Sequence, residues 1–159
     1  MQQEVAKTAK SEDEKKGIGC VQVALTARHG DPASVVVVVA LPYDCYGQTM
    51  TEKDLPAFGS GASEGLNNTF DISEPIRGVY SLGTHSIWVE RAKGTLKGSP
   101  DSKYTMETVC SIMKNGAVCW MAMAADDNAL QTFENGAVTL DGEAPVVLVP
   151  SSAFVKKTE

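Results

Sequence analysis

The sequence predicts an all-β domain, a sandwich or a barrel of about nine mostly antiparallel strands. Three observations carry that expectation. Residues 17–27 alternate, with Val21, Val23 and Leu25 on one side and Gln22, Ala24 and Thr26 on the other, the period of a strand with one buried face. Residues 34–41 form a valine run whose β-branched side chains disfavour helix by restricting χ1. Beyond residue 68, short strand-like runs recur between turn clusters at regular spacing.

The elements follow in order. Residues 1–16 hold four lysines and four acids, with Val5 the one large apolar residue, so they read as a mobile, charged tail. The folded domain is expected over 17–155, with a short C-terminal tail at 156–159. The alternating strand and the valine run flank the turn His29-Gly30-Asp31-Pro32 and read as a hairpin. The valine run lacks alternation, so it is expected to be covered on both faces. Residues 42–68, broken by Pro42, Pro56, Gly47, Gly59, Gly61 and Gly65, read as a long irregular stretch. One helical turn is expected there, at Thr51 to Leu55 with Thr51 as its cap. Further strands are expected at 69–72, 78–82, 86–92, 104–113, 117–124, 137–140 and 146–149. Asp126-Asp127-Asn128 suits the start of a short helix running to Phe133, or a loop.

The hairpin at 104–124 is the clearest element, because Asn115-Gly116 fits a two-residue type I′ turn, which needs φ > 0 at both positions. Polarity assigns Met106, Cys110, Ile112, Cys119, Met121 and Met123 to its core face and Thr105, Glu107, Ser111 and Trp120 to the other. With Asn115-Gly116 as the loop, Cys110 and Cys119 are diagonal rather than opposite, and they are expected to be unbridged thiols. A Cys20–Cys45 bridge from the first strand to the long loop is left open.

Composition narrows the function. A chain of 159 residues with 43% apolar and 21% charged residues can bury a core without metal or disulfide. Net charge is −6, and it belongs to the folded part because the tail is neutral. An acidic surface without a basic stripe argues against nucleic acid as a partner. No apolar run reaches the length of a spanning helix, which argues against membrane insertion.

Gly61-Ala62-Ser63-Glu64-Gly65 matches the nucleophile-elbow pattern, with Asp71 and His85 following in hydrolase order. The elbow needs a buried strand before its serine and a helix after it. The surrounding prolines and glycines favour a flexible loop instead. Cys119, Met121 and Met123 offer soft sulfur ligands suited to Cu(I), but methionine is also a common core filler. The cysteine spacings contain no CxxC, and two histidines are too few for a multi-histidine metal site, so neither metal nor cofactor is expected. Glu90 and Glu107 are the candidate pair for carboxylate chemistry. Asp126-x-Asn128 and Asp141-x-Glu143 lack the EF-hand glycine and closing glutamate. Asn67-Asn68-Thr69 fits a glycosylation sequon.

The leading expectation is a non-enzymatic binding or assembly module, secreted or periplasmic, with a cytoplasmic location the alternative. Its partner is a protein or a small molecule, and homo-oligomerisation is open. The competing expectation is a small β-barrel carrier or enzyme whose cavity is lined by His85, Arg91 and Trp88. Alternation along that strand places His85 with Ile87, Val89 and Arg91, and Trp88 with Ser86 and Glu90.

Overall fold

The computed structural model describes residues 19–29, 34–82, 84–134, 137–139, 145–147 and 155–156. The expected tail at 1–16 and the loop Asp141-x-Glu143 lie outside them. The fold is mostly β, a single curled antiparallel sheet that forms a half-barrel. Strands β1 (Gln22–His29) and β2 (Ser34–Pro42) pair as the expected hairpin. A helical turn α1 (Tyr43–Tyr46), a 3₁₀ turn at Glu52–Asp54 and helix α2 (Leu55–Asn67) then lead to β3 (Phe70–Leu82) and β4 (His85–Leu96). Strands β5 (Lys103–Ile112) and β6 (Gly116–Ala124) form the third hairpin and feed helix α3 (Asp127–Glu134). Short strands β7 (Ala137–Thr139), β8 (Pro145–Val147) and β9 (Val155–Lys156) follow. Seven strands join the main sheet in the order β1-β2-β6-β5-β4-β3-β9, fewer than the nine expected, while β7 and β8 form a separate ribbon.

Residues 42–68 are not irregular, because α2 occupies their second half. Pro56 sits in the first turn, where a missing N–H costs nothing. Thr51 caps the approach: its backbone N–H and its hydroxyl both donate to the Asp54 carboxylate, at 2.7 and 2.9 Å. Three glycines weaken the helix intrinsically. At Gly59 that cost has a return, because the Trp88 indole lies where a Cβ would stand. Packing therefore overrides propensity, and α2 lies across β3, β4 and β5.

The sheet is covered on both faces, but not by the same means. On the α2 face, Leu55, Trp88, Cys110 and Cys119 are buried together, with Phe58, Ala62, Val39, Val79 and Ile112 against them. On the opposite face, Val36, Val38, Val109, Trp120, Ala122 and Ala124 pack under Leu130 of α3. Full burial of a valine or leucine contributes about 1.5–3 kcal/mol. The valine run shows the division. Val36 and Val38 are fully buried toward α3, while Val35, Val37 and Val39 are half-buried toward the α2 side.

The β5–β6 hairpin corrects the expected register. Met113 N–H donates to Gly116 O at 2.8 Å, so Lys114-Asn115 is the centre of the turn. Cys110 then stands directly opposite Cys119, and the two form a disulfide, not free thiols. Gly116 serves a different need from the one its position suggested. A Cβ there would come 2.8 Å from Leu41 O, so the glycine lets β6 approach β2. Asn115 O accepts from Tyr43 N–H at 3.1 Å, tying the same turn to α1. Cys20 and Cys45 form the second disulfide. The face containing Cys110 is also not the only core face, since Trp120 and Glu107 on the other are buried too.

β3 unites the two strands expected at 69–72 and 78–82. A register shift between Ser73 and Ile76 bends it, at the place where Pro75 could not donate to a ladder. At the far end of the sheet, Met106 fills the space over Gly94, and Phe70 meets Tyr104 edge-on at 5.7 Å. No helix among the described residues is long and apolar enough to cross a membrane.

Candidate functional site

The β3 bend, β4, β5 and the first turn of α3 enclose an open cleft of about 340 Å³ on the α3 side. Pro75 and Ile76 form one wall, and Ile76 is 65% exposed, a large apolar side chain left in water. Arg91, Ala92 and Lys93 of β4 and Thr105 of β5 contribute the floor, and Asp127 closes the other side. Local structure places each group. Alternation along β4 brings Arg91 and Lys93 to the same face. The Asp126 carboxylate accepts from Ala129 N–H at 2.8 Å, which starts α3 beside the cleft.

Arg91, Thr105 and Asp127 of this cleft are bound within the protein, Arg91 to the buried Glu107 and Thr105 to Asp127. Arg91 and Glu107 are directly opposite in the β4–β5 ladder. Arg91 Nε donates to Glu107 Oε2 at 2.7 Å, and its Nη2 meets the same oxygen. Glu107 is fully buried at its side chain, whereas Arg91 keeps 34% exposure. A buried carboxylate needs such a partner, because desolvating an unpaired charge is far more costly. Beside them the Thr105 hydroxyl donates to Asp127 Oδ1 at 2.8 Å. Lys93 and Ile76 remain exposed at the rim.

The expected site residues are not gathered in one place. Trp88 is buried on the α2 face under Gly59, on the opposite side of β4 from His85 and Arg91. His85 is exposed at the β3–β4 turn, and six residues of strand separate it from Arg91 by roughly 20 Å. Glu90 and Glu107 point to opposite faces, and each has an arginine opposite it. Arg77 lies 3.7 Å from Glu90 on the α2 side, matching Arg91 with Glu107 on the other.

The elbow motif sits within α2, where Ser63 is buried and its hydroxyl donates to Gly59 O at 3.1 Å. Asp71, at the start of β3, pairs with Thr95, roughly 30 Å along the β3–β4 ladder from His85. Ser63, Asp71 and His85 are therefore not a triad. Cys119 is in a disulfide and offers no thiolate to a metal. Asp126 and Asp127 are committed to the α3 cap and to Thr105.

Sequence reasoning missed the cleft residues Ile76, Lys93, Thr105 and Asp127. The available signal was Glu107, a charged residue in a strand between Met106 and Val109, which demands a buried cationic partner. A second hollow of about 480 Å³ lies between α1 and the β5–β6 turn, lined by Pro42, Tyr43, Asp44, Thr49, Lys114 and Asn115. Burial pushes the Tyr43 phenol above its ordinary pKa, and the nearby Asp54 charge acts in the same direction against a lowering contact from the Met50 backbone.

No protein-family model matches this sequence, and no curated protein shows significant similarity to it. Function must be argued from the site. The two disulfides point to an oxidising environment.

Proposed function

We propose that the chain is a non-enzymatic binding module of a secreted or periplasmic setting, and that it holds an extended peptide segment of a partner protein in the cleft beside the β3 bend. The observation that supports this reading most is the internal commitment of the cleft's polar groups. Arg91 is spent on Glu107 and Thr105 on Asp127, so the floor is preorganised and electrically balanced. What faces outward is Ile76, Pro75 and Lys93, an apolar anchor point beside a cation. Such a rim suits contact with an apolar and an acidic side chain of a peptide, in the way interface centres combine an apolar pocket with a polar rim. Proton transfer would require a group free to exchange its proton, and here the buried carboxylate is locked by a guanidinium.

The test is selection from a displayed peptide library on the folded, disulfide-bonded protein. Selected peptides should carry an apolar residue near an acidic one. Their binding should weaken at least tenfold in Ile76→Asp and in Lys93→Glu, while both variants keep the parent melting temperature. Peptides that bind these variants as tightly as the parent would place the contact surface elsewhere.

A further inference from the structure

The two disulfides differ in what surrounds them. Cys110 and Cys119 are fully buried and lie beneath Leu55 and Trp88. Cys45 is exposed in α1, although its partner Cys20 is buried. Cys20 lies two residues before β1, which is the last strand at its side of the sheet, and Cys45 lies three residues after β2, in α1. The bond therefore clasps the start of an edge strand to the far end of its neighbour. Between the clasp and the register slip at Val23/Leu25 stand two ladder pairs, Gln22 with Ala40 and Val23 with Val39. Val23 is 61% exposed and adds little burial to hold them.

We propose that Cys20–Cys45 is a thiol-exchangeable clasp on the sheet edge, with Cys110–Cys119 a sealed structural bond. A thiolate attacks Sγ of Cys45, the exposed residue of the pair, and forms a mixed disulfide, as the Cys20–Cys45 bond breaks and Cys20 leaves as a thiolate that takes a proton from water. A second thiolate attacks the outer sulfur of the mixed disulfide. It releases Cys45, which is protonated in turn. Two external thiols are oxidised to one disulfide, and the protein bond gains two electrons and two protons. Opening the clasp frees β1 up to its register slip and leaves the β2 edge at Val39 and Ala40 without its ladder partners.

The experiment exposes the full chain to glutathione under native conditions. Free thiols are trapped with N-ethylmaleimide, mapped by mass spectrometry, and read beside amide hydrogen exchange. Cys20 and Cys45 should label at least tenfold faster than Cys110 and Cys119. Exchange should rise at Gln22 and Val23 while β5 and β6 stay protected. A Cys20→Ser/Cys45→Ser variant should show that exchange pattern without reductant, and the titration of the parent stands by itself if the variant does not fold. Equal labelling of all four cysteines, earlier labelling of Cys110 and Cys119, or labelling of Cys20 and Cys45 without faster exchange in β1 would overturn the proposal.

Discussion

The two faces of the sheet solve the same problem, covering a curled β-surface, with different chemistry. The α2 face is closed by apolar contact and a covalent bond, with Trp88 against Gly59 and Cys110 joined to Cys119, and its own ion pair, Arg77 with Glu90, has a half-exposed arginine. The α3 face is apolar under Leu130, but toward β3 it ends in a buried ion pair and an open cleft. The same two strands, β4 and β5, supply both, because successive side chains point to opposite sides. Trp88 and Cys110 belong to one register position, and Arg91 and Glu107 to another three residues along each strand. A closed apolar face stabilises, whereas the cleft leaves Ile76 and Lys93 exposed at its rim, where the proposed peptide contact would lie.

That contrast can be broken most forcefully at the ion pair. Arg91→Leu leaves Glu107 buried without its guanidinium, and chemical denaturation should show a loss of about 3–5 kcal/mol. The double change Arg91→Leu/Glu107→Leu should recover most of it, which a purely steric role for Arg91 would not allow. On the other face, replacing Cys110 and Cys119 together by alanine should cost about 2–5 kcal/mol in the same assay. Gly59→Val should cost about 1–3 kcal/mol, since the indole of Trp88 must move, and the tryptophan fluorescence should change with it. A Gly59→Val protein with parent stability would mean that α2 does not bear on Trp88. The smallest effect lies at the exposed Asp54, whose carboxyl is held below the usual carboxylate range by the Thr51 backbone N–H and then by its hydroxyl. Because the folded pKa is depressed, this contact favours folding above the ordinary carboxylate range and is lost as pH falls through the lower folded value. Thr51→Val should raise the Asp54 midpoint in an NMR titration without restoring it fully, as the backbone donor remains.

The legible part of the fold was that carried by side-chain period and β-branching. The first hairpin and the strands of the third needed no tertiary information, while the segment from Asp126, open between helix and loop in the sequence, is a helix over Asp127–Glu134. The helix at 55–67 was hidden because glycine and proline signal breaks. Their actual roles, Pro56 in the first turn and Gly59 beneath Trp88, depend on a sheet far away in sequence. Gly116 misled for a related reason. Its pairing with Asn115 resembles a turn that needs positive φ, yet its missing Cβ is required by Leu41 of β2. That error moved the register by one step on each strand, and with it the prediction for Cys110 and Cys119. The cleft was least legible, because Arg91 finds Glu107 only through the β4–β5 ladder, and Thr105 finds Asp127 only once α3 is docked.

The division between a sealed face and an open one rests on the β5–β6 register, and a tryptic digest without reductant tests it directly. Cleavage after Lys16, Arg28, Lys53, Lys103, Lys114 and Lys156 separates all four cysteines. The register described here predicts two linked species, residues 17–28 with 29–53 and residues 104–114 with 115–156. Free thiols at Cys110 and Cys119, or a bond from either one to Cys20 or Cys45, would contradict it and return the hairpin to an Asn115-Gly116 turn.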